Sequence, residues 1–181
     1  MGNPAENKFV DPNEILKQLS IVSGSIVADF GCGAGYFSIP VAKLVGDEGV
    51  VHALDILPQS LESVQSRAKI MGLTNVRATR VNLEKDGGSK LPDNSLDLAI
   101  LKDMLFQNKG KDIILREAHR TLKPGGKLLI MEWSSDAPLF GPEAALRIDK
   151  PEMLRILEAQ GFTLDREIEA GTFHYGMLAS K

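Results

Sequence analysis

An α/β domain on a mostly parallel, seven-stranded sheet, closed by a C-terminal antiparallel hairpin, is what this 181-residue sequence predicts. Three observations carry that expectation. Short apolar runs, "SIVADF", "VVHALDI" and "LDLAIL", read as strands buried on both faces, and they alternate with helical periodicity. The first of them enters a glycine turn, "DFGCGAGYF". The last two strands, "FTLDREIEA" and "TFHYGMLAS", are separated only by Gly171, too short a link for a parallel crossover.

The elements follow in order. Asp11-Pro12-Asn13-Glu14 starts a helix, with Asp11 as N-cap, Pro12 first and Glu14 as capping-box partner. Ile15, Leu16 and Leu19 give it one apolar face within a short N-terminal helical segment, residues 1–25. "YFSIPVAKLVG" follows the glycine turn as a helix whose first turns Pro40 is expected to loosen. Leu57, Leu61, Val64, Ala68 and Met71 fall on one helical face that Gly72 stops. "NVRATRVN" is a third strand and "KDGGSKLPDNS" a turn-rich loop. Asp112 to Leu122 reads as a helix burying Ile113, Ile114, Ala118 and Leu122, with Lys123-Pro124-Gly125-Gly126 as its stop. "KLLIMEW" is strand five, residues 134–148 an irregular crossover, and "KPEMLRILEAQG" the last helix. With no repeat or linker, residues 1–181 are expected to form a single domain.

Composition narrows the function classes. Hydrophobic residues are 43% and charged ones 25%, as in soluble globular proteins. A net charge of −3 supplies no basic field, so nucleic acid is a disfavoured partner. Cys32 is the one cysteine, which forbids an internal disulfide and fits a reducing compartment. One cysteine and three scattered histidines, His52, His119 and His174, give no ligand spacing, so no metal is expected. "MGNPAENKFV" lacks a signal-peptide core and no apolar run has membrane-spanning length. A cytoplasmic location without membrane insertion is therefore expected; homo-oligomerisation is left open.

The glycine turn carries the functional signal. In an open parallel sheet, ligands bind beyond the carboxyl ends of the strands, and a helix N-terminus there offers N–H groups. A dinucleotide fingerprint would place its third glycine at position 36, which is Tyr36. The chain instead reads Asp29-x-Gly31-x-Gly33-x-Gly35. Asp29 would repel a pyrophosphate and suit an ammonium group. Asp55, ending strand two, is placed to take both ribose hydroxyls of an adenosine.

"VADFGCGAGYFSIPVAKLVGDEGVVHALDI", "LPDNSLDLAIL" and "REAHRTLKPGGKLLIMEW" resemble a class I S-adenosylmethionine-dependent methyltransferase, of the ubiquinone/menaquinone-biosynthesis type. The resemblance runs from Val27 to the terminal hairpin and implies a Rossmann-like three-layer sandwich. It also implies S-adenosyl-L-methionine as cofactor. By it, Asp29 and the backbone of Gly31, Cys32, Gly33 and Gly35 hold the methionine part, Asp55 the ribose, and Ile56 the adenine face. Asn82-Leu83 stands where the family often has an aspartate for the adenine amino group; the amide oxygen of Asn82 can accept the same bond. Leu101, Lys102 and Asp103 would line the methyl-transfer site, Lys102 through its carbonyl.

Structural alternatives stand beside these roles. Asp29 is also a natural helix-capping acid, Cys32 a packing residue, His52 a sheet residue and His119 a solvent-facing one. Trp133 and Phe140 are core or substrate wall, and Glu132 is structural or pocket-facing. Attack on an activated sulfonium needs alignment and water exclusion more than a catalytic dyad. If a base is needed, Asp103, Glu132, His174 and Tyr175 are the candidates. The stretch "LKDMLFQ" lacks the motif of amino-directed nucleic-acid methyltransferases, and one cysteine does not suit arsenic chemistry. The expected reaction is in-line methyl transfer to a small, partly apolar acceptor. A macromolecular acceptor, a non-catalytic S-adenosylmethionine-binding module and a nicotinamide oxidoreductase are the alternatives.

Overall fold

Among the described residues of the computed structural model, 9–136 and 141–181, seven strands form one sheet in the order β3-β2-β1-β4-β5-β7-β6. They are β1 Ile26–Phe30, β2 Val50–Asp55, β3 Val76–Arg80, β4 Leu96–Lys102, β5 Leu122–Trp133, β6 Thr163–Ile168 and β7 His174–Ser180. The pairs β1–β2, β2–β3, β1–β4 and β4–β5 are parallel. The pairs β5–β7 and β6–β7 are antiparallel, as the terminal hairpin predicts. Strand order reverses between β1 and β4, the switch point where such sheets bind ligands.

Helices cover both faces. On one side α1 (Pro12–Lys17), α2 (Ser38–Val45) and α3 (Pro58–Ile70) pack onto the sheet. Ile15 and Leu16 of α1 and Val41 and Val45 of α2 meet Val27, Ile100 and Met131. On the other side α4 (Lys111–Thr121) and α5 (Lys150–Ala159) bury Ile114, Leu115, Met153 and Leu157 against Phe30, Leu101 and Ile130. Fully buried aliphatic chains of this kind contribute about 1.5–3 kcal/mol each, which fixes the strand tips on a stiff base.

Several local expectations are corrected. Asp11 caps α1 by accepting the Asn13 N–H, but the Glu14 carboxylate pairs with Lys17. Pro40 lies in the first turn of α2, where its missing N–H would have had no intrahelical partner, and the helix continues through it to Val45. In α4 the buried face is Ile114, Leu115, Glu117, Ala118 and Thr121; Ile113 is half-buried. "KPGG" is not a separate turn: β5 already begins at Leu122, and a register shift opposite Leu96 and Leu98 accommodates Gly125 at φ 77°. The terminal strands are joined by residues 169–173 rather than by Gly171 alone. Within the crossover, Ala144–Leu146 forms a short 3-10 turn, and Phe140 lies outside the described residues.

Candidate functional site

The glycine turn sits at the carboxyl end of β1, and its backbone is tied to β2. The N–H groups of Gly31 and Cys32 both donate to Leu54 O, at 2.8 and 2.9 Å. Gly33 N–H donates to Asp55 Oδ2 at 2.9 Å, and Leu57 N–H to Asp55 Oδ1 at 2.9 Å. Asp55 is thus locked in place at the tip of β2. Each of its oxygens keeps a second lone pair for a further donor such as a ribose hydroxyl.

Gly31, Gly33, Asp55, Ile56, Asn82, Leu83 and Met104 line one cleft of about 310 Å³ over the strand tips. Gly31, Gly33 and Gly35 all have positive φ, which only glycine adopts without strain. Their surroundings differ. A Cβ on Gly33 would meet nothing within 4 Å, so the backbone there is open to a ligand. On Gly31 it would collide with the Met104 thioether. Gly35 is turned away from this cleft: a Cβ there would lie 3.0 Å from Val64 Cγ2, so this glycine serves the packing of the turn on α3.

Asp29 lies below the turn and does not line the cleft. Its Oδ2 accepts the Ser38 hydroxyl at 2.6 Å, and the Ser38 N–H also points to it at the start of α2. Asp29 therefore places a carboxylate at the positive end of α2, held by the Ser38 hydroxyl. Burial pushes its carboxyl up to about 6; the Ser38 bonds and Lys102 oppose that rise, and Asp55 adds to it. Cys32 packs with Ala53, Leu61 and Val64, and burial with the two neighbouring carboxylates pushes its thiol up, so it is no nucleophile. Leu101 is wholly in the core. Ile56 is half exposed on the cleft wall. Asn82 Oδ1 accepts the Glu84 N–H at 3.0 Å, an Asx turn that orients its side chain.

A second polar group forms where β4 and β5 end and β7 begins. Asp103, in a left-handed conformation (φ 54°), pairs with the Lys102 ammonium through Oδ2 and with His174 Nε2 through Oδ1 at 3.0 Å. Burial alone would raise the Asp103 carboxyl, but the bonds from His174 and Lys102 hold it below its ordinary value. The His174 ring stacks at 4.2 Å on Trp133, its cross-strand partner. A Cβ on Gly141 would collide with the Trp133 indole, so the crossover backbone lies on that ring. Phe9 and Phe173 pair at 5.1 Å. Trp133 is therefore half-buried wall beside the polar group rather than deep core.

The other two base candidates point elsewhere. Tyr175 is buried and donates its hydroxyl to Ile148 O at 2.8 Å; burial, with Glu132 and Asp149, pushes that hydroxyl up. Glu132 lies inside β5, opposite Tyr175, and is fully buried, with Oε1 accepting Leu105 N–H at 2.6 Å. Sequence reasoning missed Met104, Gln107 and Asn108, which line the cleft because the chain doubles back after β4. No periodicity in "LKDMLFQN" signals that. Among the described residues no cluster of His, Cys, Asp and Glu could hold a metal ion, and no helix is long and apolar enough to cross a membrane.

Comparison with known proteins agrees with this geometry. Residues 21–168 match a family described as "Methyltransferase domain". A demethylmenaquinone methyltransferase of Geobacillus kaustophilus is 30% identical over 128 residues, 71% of this chain and 53% of its own length. A ubiquinone/menaquinone biosynthesis C-methyltransferase of Haemophilus ducreyi is 33% identical over 126 residues, 68% of this chain and 46% of its own. The chain thus spans about half the length of the curated relatives it matches. The crystal structure of a SAM-dependent methyltransferase from Aquifex aeolicus superposes with a TM-score of 0.87 at 28% identity, covering 98% of this chain and 93% of that one. By family match and fold together, the chain belongs to the class I S-adenosylmethionine-dependent methyltransferases, and the curated relatives it matches are named for menaquinone and ubiquinone biosynthesis.

Proposed function

We propose that the chain transfers a methyl group from S-adenosylmethionine to a small, partly apolar acceptor of the quinone class. The observation that carries the reading is Asp55, pinned by two backbone N–H groups beside the open backbone of Gly33. A fixed carboxylate next to an open glycine turn suits a nucleoside joined to a compact polar group. When bound, S-adenosylmethionine supplies a sulfonium methyl already activated for displacement.

The chain's own residues then bind and align. Asp55 accepts the ribose hydroxyls, Ile56 and Leu83 give the adenine apolar walls, and Asn82 faces its amino group. Asp29, beneath the turn, offers a negative field to the ammonium end, and the Lys102 carbonyl closes that end at the tip of β4. Half-buried Trp133, packed on His174 beside Asp103, offers a planar, apolar acceptor a surface of matching shape. Relatives named as demethylmenaquinone methyltransferases favour that class. Where the acceptor must lose a proton, Asp103 and His174 are the groups at hand.

The test uses methyl-labelled S-adenosylmethionine with a demethylated 1,4-naphthoquinol. Label recovered in the naphthol ring supports the reading. Cofactor binding without transfer to any of a panel of small acceptors would favour the binding-module alternative, and binding of NAD(H) in its place would refute both.

A further inference from the structure

The segment after β4 rests on a carboxylate that no step above uses. Glu132 is 0% exposed. Its Oε1 accepts the Leu105 N–H at 2.6 Å, and the N–H groups of Phe106 and Met104 also point to the carboxylate. The Leu105 amide makes the hydrogen bond and its two neighbours add weaker favourable dipoles, the beginnings of an anion nest. Among the described residues Oε2 has no hydrogen-bond partner. On the opposite side of the same segment the Met104 thioether lies on Gly31, in the floor of the cleft. Two amides brace the segment from its far end: Gln107 donates to Asp103 O and Asn108 to Met104 O, each at 2.7 Å.

We propose that Glu132 is a positioning residue of the cofactor cleft: it draws the 104–106 backbone onto the end of β5, presses Met104 against Gly31, and so sets the depth of the cradle. The inference rests on reading that cleft as the S-adenosylmethionine site. A purely structural acid at this depth would have both oxygens satisfied. Here one oxygen holds the Leu105 amide and the other has no hydrogen-bond partner among the described residues, so the grip on the segment depends on the charge of the group. The anion holds the Leu105 amide, and attracts its neighbours, more firmly than the neutral acid does.

The groups facing Glu132 set when that charge appears. Burial pushes its carboxyl up to about 7, the amide of Leu105 opposes, and Asp103 at the tip of β4 adds to the rise. Asp103 is itself held anionic by His174 and Lys102. Tyr175 stands across on β7 with its proton committed to Ile148 O, and Asp149 lies beyond it. The nest therefore tightens as pH rises through neutrality, and so does the seat of Met104.

Hydrogen exchange of the Met104, Leu105 and Phe106 amides, measured on the full chain between about pH 5.5 and about pH 8.5, reads the nest directly. In the wild type their protection, corrected for intrinsic exchange, should rise about tenfold across that range, while amides of β1, which follow global stability, do not rise. In Glu132→Gln it should be pH-independent. Calorimetry should show S-adenosylhomocysteine bound about three- to tenfold more weakly by Glu132→Gln, with no further loss when that change is added to Met104→Ala. Equal protection with equal pH dependence in wild type and Glu132→Gln, or additive affinity losses in the double variant, would overturn the proposal. A wild-type chain that binds no S-adenosylhomocysteine would refute the cofactor reading instead, and the exchange data would then decide the nest alone.

Discussion

Two buried glutamates in this molecule have opposite fates. Glu117, on α4, is 3% exposed, yet its carboxylate accepts the Ser89 N–H at 3.0 Å, the Ser89 hydroxyl, and Arg120 Nε and Nη2 at 2.9 and 2.7 Å. Burial alone would raise it, but Arg120 and Ser89 hold it below its ordinary value. Arg120 also reaches Leu91 O and Asp93, so the carboxylate ties the loop before β4 to α4. Glu132, at the strand tips, is also shielded from solvent, has no cationic partner among the described residues and is pushed up to about 7. Both are closed to solvent, but Glu132 lies deeper and only Glu117 is compensated. A buried acid whose oxygens are all answered belongs to the scaffold, and one answered on a single oxygen marks the working end of the sheet.

The comparison can be broken in order of effect. Replacing Glu117 with Ala should cost about 2–4 kcal/mol, because Arg120 and Ser89 lose their acceptor. Denaturant unfolding near neutral pH that finds a loss below about 1 kcal/mol would show that the network is ornamental. The two acids should also act oppositely with pH. Glu117 has a depressed folded value, so its stabilisation is present above its unfolded value near 4.5 and is lost as pH falls. Glu132 has a raised one: its contribution is complete below about 4.5 and disappears as pH rises through about 7. Glu132→Gln should therefore match wild-type stability in acid and exceed it by up to about 3 kcal/mol above neutrality, even as the 104–106 segment loosens. A variant less stable than wild type at high pH would contradict that.

Smaller effects sharpen the cofactor side. Asp55→Ala should weaken S-adenosylhomocysteine binding by about 1–3 kcal/mol with the fold intact, measured by calorimetry. Unchanged affinity would remove Asp55 from the ribose. Ser38→Ala takes one donor from the buried Asp29 and should cost about 1 kcal/mol of stability, read from thermal unfolding. A stabilised variant would mean that Asp29 is neutral in the fold.

What was legible in the sequence was whatever rests on local pattern. Alternating apolar runs gave the strands, Asp11-Pro12 the first cap, and glycine spacing with Asp29 and Asp55 the turn and its acids. What was not legible depends on partners far away in the chain. Gly35 looks like its two neighbours in sequence, and only contact with Val64 of α3 shows that it packs rather than cradles. Glu117 interrupts the apolar face of α4 as a charge that composition would place in solvent, and only Ser89 and Arg120 account for its burial. Met104 meets Gly31 across more than seventy residues, and the pairing of Asp103 with His174 spans a similar distance. Strand alternation set Trp133 and His174 on one face and Glu132 and Tyr175 on the other, but which face meets the site follows from the packing of the helices.

The most direct test of the account is a crystal structure of the chain with S-adenosylhomocysteine. The ribose hydroxyls should sit on the Asp55 carboxylate, the adenine between Ile56 and Leu83, and the chain of the ligand over Gly33 toward Lys102 and Asp29. A ligand bound elsewhere, or a cleft left empty at saturating concentration, would contradict it.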